Sequence, residues 1–422
     1  MGSVNLDNTG SGSAITLSSD GTSLLLDGTA IGGSPDLYAA NESSPSAQPS
    51  ATGTNAIAIG DSAVANNTQN VAIGHSADAI TGTYNSAFGA FATANASYYA
   101  VAIGSDAGGN ASTAGGNGSF ASSGGVTAGN QAQALGKAYA SGVDSFAASI
   151  ANRTSSYGAT GANSIAMGYL SKATGTGNVN IGYEGYATGA SGSVALGYRA
   201  RATGTNAICL GQSGYSTASG AQSLAIGYGI TSSGTSSAGI GRSHTISGDY
   251  STALGRNSTI ESNGDYSLAM GYEAKISQYG KNAHASGKFA AAGDAQGGQF
   301  ILRADTTDAT ATVLTTNNST AAATNQIVAA SDTCITFDGT ITAMQNGAQA
   351  YASWRIEGLL VNDGGTTTLA NSATTIIDNQ SSWGMALSAD NTNNALAITC
   401  TGEASHNIRW VANIRTTEVT YA

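Results

Sequence analysis

The chain has 422 residues, a net charge of −11, 58 glycines but only 3 prolines, and 9% charged residues, against roughly 25% in an average globular protein. The acidic balance excludes the basic footprint of a nucleic-acid binder and polybasic docking on an anionic membrane. Hydrophobic residues at 41% argue against disorder, while small residues in place of large ones exclude a thick core, so a thin, repetitive β structure is expected.

In chain order, residues 1–32 carry short apolar runs such as Leu24-Leu25-Leu26 and read as a small β element or attachment segment. The start, Met1-Gly2-Ser3-Val4-Asn5, has no basic region and no apolar stretch of a secretion signal, so synthesis in the cytosol is expected. No window offers the roughly 18 apolar residues of a membrane helix. Residues 33–54 hold all three prolines, Pro35, Pro45 and Pro49, among Ser, Ala and Asn, and read as a linker.

Residues 55–298 are dominated by one repeat, apolar-Ala-apolar-Gly. Strict copies are Ile57-Ala58-Ile59-Gly60, Val71-Ala72-Ile73-Gly74, Val101-Ala102-Ile103-Gly104 and Ile165-Ala166-Met167-Gly168. Val194-Ala195-Leu196-Gly197, Leu224-Ala225-Ile226-Gly227 and Leu268-Ala269-Met270-Gly271 continue the set. Looser copies end at Gly89, Gly136, Gly182, Gly211, Gly241, Gly255 and Gly287, mostly 14 to 16 residues apart. The longer gaps from Gly104 to Gly136 and from Gly136 to Gly168 each fit two coils, with degenerate copies around Phe120 and Phe146. A second element, near Ala-x-Ala-Thr-Gly, follows many copies, as in Ala200-Arg201-Ala202-Thr203-Gly204 and Gly185-Tyr186-Ala187-Thr188-Gly189. Gly every seven or eight residues and no 3.6-residue period exclude helices. Two short strands of about four residues and two glycine turns with φ > 0 fill each period. Such coils stack in parallel about 4.8 Å apart into a flattened roll. One chain leaves an apolar face uncovered, and threefold assembly buries it. Arg201 is expected at the surface.

The run Ser193-Val194-Ala195-Leu196-Gly197 and its copies resemble the head repeat of trimeric autotransporter adhesins, the YadA-like heads. The resemblance spans about Asn55 to Gly287 and implies a left-handed, homotrimeric parallel β-roll with adhesive function. The signal peptide, coiled-coil stalk and membrane barrel of those adhesins are not visible here.

From residue 299 to 422 the repeat stops and all three tryptophans appear, Trp354, Trp383 and Trp410. Period-two strands are expected at Trp383–Leu387, Leu396–Cys400, Trp410–Ile414 and Thr416–Tyr421, with turns at Asn362–Gly365 and Asp390–Asn394. The pattern predicts a β-sandwich or jelly-roll knob. Residues 331–422 resemble the C-terminal domains of some bacteriophage tail fibres, and the tryptophans read as its core.

Chemistry-bearing residues are sparse. Cys209, Cys334 and Cys400 lie far apart with no CxxC and read as buried small hydrophobes. His75, His244, His284 and His406 show no metal-binding spacing. Glu184, Asp249, Asp265 and Glu273 are the carboxylates that stacking could pair for glycan cleavage, but a deep acid-tuning cleft is hard to build from Ala and Ser. No phosphate-binding loop occurs. Tyr169, Tyr183, Tyr198, Tyr228 and Tyr272 each follow a repeat glycine, so stacking aligns them in a ladder. That ladder is either packing over the turn or at a subunit seam, or a sugar-stacking stripe. In the knob, Asn362, Asp363, Asp390 and Asn391 are candidate receptor contacts, because binding residues concentrate on loops.

The expected molecule is an all-β homotrimer: attachment segment, roll shaft and sandwich knob. Its expected role is that of a virion tail fibre, joined to a tail or baseplate protein, binding a host glycan or outer-membrane receptor. No catalysis, cofactor, metal, nucleic acid or membrane insertion is expected. The alternatives are a glycan-cleaving tail spike and a structural spacer.

Overall fold

A computed structural model of the chain describes residues 47–421, apart from 213, 214, 348 and 381, and the backbone of four strands nearer the N-terminus. Those four, Val4–Leu6, Ile15–Ser19, Leu24–Leu26 and Thr29–Ile31, form an antiparallel sheet in sequence order. Pro35, Pro45 and most of the expected linker lie outside the described residues. The ladder that follows starts at Ser50, inside the stretch expected as linker.

From there to Ser286 the chain is a parallel β-solenoid. One wall is a 16-stranded sheet of two-residue strands, from Ser50–Ala51 to Lys275–Ile276. The other wall is built of strands of three to five residues, from Ile57–Ile59 to Asn282–Ser286. Repeats stack in strict register: Ile57 faces Val71, Ala58 faces Ala72 and Ile59 faces Ile73, and the pattern recurs to the last coil. The degenerate coils fall where Phe120 and Phe146 mark them. Val101 pairs with Phe120 and Phe120 with Gln133, then Gln133 with Phe146 and Phe146 with Ile165. Two of these coils are longer because they carry corner loops at 105–111 and 149–157. Asp106 ties the first loop, accepting from the Asn110 side chain and backbone and from the Gly108 N–H, which holds its carboxyl down at about 2. The Arg153 guanidinium of the second loop donates to the Ala111 carbonyl at 2.8 Å, so the two loops touch.

The second residue of each long strand points inward, and alanine there is fully buried, as at Ala72, Ala102, Ala166, Ala195 and Ala225. The opposite wall supplies Ala65, Ala94, Ala187 and Ala202. Two facing alanines set the thickness of the roll. Near its end the sizes trade: Gly239 faces Ile230 and Ile246, and a Cβ on Gly239 would come within 2.5 Å of the Ile230 methyl. Cys209 occupies one inward position, and burial pushes its thiol up to about 11. Cys400 is likewise buried, Cys334 is half-buried, and all three thiols are free.

Polar groups in this thin interior satisfy the coil edges. Buried Asn85 donates to the Ala96 carbonyl and accepts from the Ala100 N–H, both on the next coil. Asn178 bonds Ala187, Gly189 and Ser193 in the same way. Where serine replaces asparagine, as at Ser164, Ser223 and Ser237, the hydroxyl closes its own turn.

The repeat glycines, Gly211 apart, take positive φ, +109° at Gly197 and +127° at Gly227, as expected. The tight corners beside them differ from expectation. Many are non-glycine residues with left-handed backbone, including Tyr84, Gln131, Leu170 and Tyr250. Each costs roughly 1–2 kcal/mol, offset by a coil-to-coil bond such as Tyr250 N–H to the Thr235 carbonyl at 2.8 Å.

At the C-terminal end the long-strand wall passes without a break into an antiparallel sheet. Asn282–Ser286 pairs with Ala295–Thr306, which pairs with Ile408–Thr420, then Thr333–Gln345, Tyr351–Asp363 and Thr366–Asp378. A smaller sheet of Ala311–Val313, Ile327–Val328, Gly384–Asp390 and Ala395–Thr401 covers one face. Phe300, Leu302, Trp354, Ile398 and Trp410 pack in the core between the layers, so this region is a two-layered sandwich. Trp354 and Trp383 flank Trp410 at 5.5 and 5.8 Å, as core residues. The two strands expected at 410–414 and 416–421 are one strand of 13 residues.

A buried ion pair pins the sandwich to the last coil. Lys281 Nζ lies 2.6 Å from Glu418 Oε2, which also accepts from Gln296, while Thr416 donates to Oε1. Burial alone would raise the Glu418 carboxyl, but the Lys281 charge and these bonds outweigh it and hold it below its ordinary value.

Candidate functional site

Three surfaces carry the residues that sequence singled out, or the ones it missed. The first is the tyrosine ladder. Tyr183 and Tyr198 sit in register with rings 5.0 Å apart, and Tyr169 stacks on Tyr183 at 4.9 Å. The column is interrupted where Gln212 follows Gly211, then resumes as Tyr228, Arg242, Arg256 and Tyr272. Arg242 lies over the Tyr228 ring and Arg256 over the Tyr272 ring. In each strand the outward residues alternate with a buried one: Val194, Leu196 and Tyr198 flank buried Ala195. The ladder therefore borders the apolar columns of the long-strand wall. Those columns expose Ile103 (43%), Ile181 (41%), Ile208 and Ile240 (40% each). Cross-strand partners share a face, so the same surface continues over the sandwich through Ile301, Val411 and Val419.

The second surface is the pair of knob turns, which the fold brings together. Asn391 accepts the Thr367 N–H at 2.8 Å, and Asn394 accepts the Thr367 hydroxyl at 3.2 Å. Asn362 is buried, donating to the Ala329 carbonyl and accepting the Gly365 N–H, so its side chain builds the turn and faces no solvent. Burial raises the Asp390 carboxyl, but bonds from Asn393 and Thr392 outweigh it and hold the group low. Asp363 alone of the four is exposed with no bond to its carboxylate among the described residues, beside a shallow hollow of about 450 Å³ that Asp332, Val361 and Tyr421 also line.

The third surface was missed. On the two-residue wall, Lys172, Tyr186 and Arg201 occupy the variable position of the Ala-x-Ala-Thr-Gly element in three successive coils, and so stand in register. With Ser156 and Tyr157 of a corner loop, and with Thr188 and Thr203, they line a cleft of about 450 Å³. Arg201 is half-buried rather than exposed, its guanidinium 5.3 Å from the Tyr186 ring and 4.8 Å from the Tyr215 ring. The variable position was legible as K, Y and R in consecutive repeats; the loop that roofs it was not.

The remaining candidates are structural. Asp249 accepts the Thr235 N–H and Asp265 the Asp249 N–H, so both carboxylates staple neighbouring coils. Glu184 pairs with Arg199 at 2.7 Å, and Glu273 is held by Asn257 and Lys288. His244 is buried, bonded to the Ile240 carbonyl and the Ser258 N–H, and burial lowers its pKa. His75 lies 3.3 Å from Asp61, and His406 3.0 Å from Glu403. His284 lines a groove of about 880 Å³ where the last coil meets the sandwich, with Asp338, Glu357 and Arg415. Among the described residues no cluster of three metal-binding side chains occurs.

A parallel solenoid with an alanine interior, an outward apolar stripe and a corner tyrosine column is a thin parallel β-roll. Residues 51–77, 159–177, 189–213, 214–229 and 247–274 match the YadA head domain repeat (2 copies). These segments lie along the roll, which is thus a YadA-like β-roll. No curated protein matches the chain.

Proposed function

We propose that the chain is one subunit of a homotrimeric adhesive fibre, a bacteriophage tail fibre, that binds a glycan or outer-membrane receptor on a host cell without cleaving it. The observation that carries this reading is the apolar stripe on the long-strand wall. It runs along the whole roll, roughly 70 Å at about 4.8 Å per coil, and onto the sandwich. Soluble monomers rarely expose a continuous apolar patch of more than a few hundred Å². Three copies packed through this wall around one axis cover it, and the tyrosine ladder then lies along the subunit seams. The YadA-like repeats support the same assembly, since heads of that family are trimeric. A long rigid shaft with a wide end domain suits a virion fibre, the N-terminal sheet joining a tail or baseplate protein.

Binding without cleavage is supported by the engagement of Asp249, Asp265, Glu184 and Glu273 in structural bonds. Labelled full-length protein is expected to stain host cells and to leave host polysaccharide at full length. Shortened polysaccharide chains, or a folded monomer at micromolar concentration, would refute the reading.

A further inference from the structure

The two-residue wall faces away from the apolar stripe, so trimer packing through the other wall leaves it open. Its cleft at Lys172, Tyr186 and Arg201 is unusual in this chain for three reasons. It holds two cations in a protein of net charge −11, and neither has a carboxylate within ion-pair distance among the described residues. The nearest acid along the chain, Glu184, is already taken by Arg199. The Arg201 Nε is buried and has no hydrogen-bond acceptor among the described residues. A guanidinium donor out of reach of water and without an acceptor is costly, and native structures fill such places with an ion, a water or a ligand. The cavity volume lies within the roughly 300–1,000 Å³ of ligand pockets.

The surroundings specify the ligand. Arginine offers a planar fork that matches a carboxylate with two parallel bonds, and lysine adds a point charge. The Arg201 guanidinium lies over the Tyr186 and Tyr215 rings, which restrict where that fork can move. The Thr188, Thr203 and Ser156 hydroxyls lie around the same cleft and can bond ring hydroxyls, while Tyr157 and Tyr186 supply aromatic surface. Charge, hydroxyls and aromatic faces in one shallow cleft match a sugar that carries its own carboxylate.

We propose that this cleft binds an acidic saccharide, a hexuronate-type unit, with Arg201 and Lys172 on its carboxylate. The inference rests on the glycan-binding reading above and moves the contact from the tyrosine ladder to the opposite wall. Three copies around the fibre would give avidity to weak single sites.

The test is calorimetric titration of the full-length protein with an oligogalacturonate. A neutral oligosaccharide of equal length and a sulfated oligosaccharide serve as comparison arms. The oligogalacturonate is expected to bind, to weaken as salt rises, and to exceed the neutral sugar at least tenfold. Lys172→Gln and Arg201→Gln should each lose tenfold or more, and Arg201→Lys should fall between, since it keeps the charge and loses the fork. Unchanged far-ultraviolet dichroism and mass confirm that the variants are assembled. Equal binding by wild type and Arg201→Gln, equal binding of the neutral sugar, or preference for the sulfated sugar would overturn the proposal. Host-cell staining separates the two readings: staining that survives in a variant without oligogalacturonate binding overturns this cleft as the receptor contact and leaves the fibre reading standing, whereas wild type that binds the sugar but stains no host cell refutes the fibre reading.

Discussion

Two glycines in the same roll should respond very differently to a single added methyl. Gly197 has φ of +109°, and a Cβ there would lie 2.1 Å from the Gly211 carbonyl oxygen of the next coil. Ordinary contact begins near 3.4 Å, so the coils must part by about 1 Å. That displacement threatens the bonds to the next coil nearby, such as Arg201 N–H to Ser216 and Thr203 N–H to Ala218. At about 1 kcal/mol each, and with roughly 1–3 kcal/mol of backbone strain, Gly197→Ala should cost about 3–5 kcal/mol. Gly177 has φ of +67° with open space around it, and the equivalent corner is held by Asn163 in the preceding coil and by Asn206 two coils on. Gly177→Ala should cost about 1 kcal/mol, and Gly177→Asn close to nothing. Guanidinium midpoints rank the variants, and amide exchange over Val179–Tyr183 and Ile208–Gly211 reads the local opening. Equal midpoints for Gly197→Ala and Gly177→Ala would refute the close-approach account.

Sedimentation should give a particle of three times 41.5 kDa, and Ile181→Asp, on the exposed stripe, should release monomers or prevent assembly. Lys281→Met should destabilise by about 3–5 kcal/mol because it leaves Glu418 buried without a countercharge, and Lys281→Met with Glu418→Leu should recover most of the loss in the same melting assay. Because the Glu418 carboxyl is held below its ordinary value, its contribution is complete above that value, about pH 4.5. It is lost as pH falls through the lower folded value, and Glu418→Gln should flatten this part of an acid-unfolding curve. Asp363→Ala should leave the melting temperature within about a degree, since surface changes away from packed features are nearly neutral, and any loss of cell staining would assign the knob turn to the receptor.

The roll was legible because its signal is local and repeated. Each coil solves the same problem, so Phe120 and Phe146 locate even degenerate copies. The corner loops escaped notice because a solenoid absorbs extra residues at a turn without disturbing the register. The sandwich was legible in class but not in strand number. Thr416 and Glu418 look like solvent-facing polar residues, yet they occupy buried positions of one long strand, and what buries Glu418 is Lys281, 137 residues away. Asn362 misled for the same reason, because its bond to the Ala329 carbonyl is invisible in the local pattern. Arg201 fits its pocket only once Tyr215 and the roofing loop are folded around it.

The hydrogen-bond ladder also fixes how the shaft bears load. Its backbone bonds run along the roll axis, so tension between the two ends reaches the coils in series, and every coil carries the full force. One coil is then the unit of yield. A 14-residue coil such as Ile57 to Val71, once peeled, releases about 45–50 Å of chain at roughly 3.3–3.6 Å per residue. A pulled single subunit should therefore lengthen in steps near that size, larger where the two looped coils yield, at modest force. In an assembly held along the apolar wall the same pull becomes shear across a long seam, which fails only when many contacts slip together.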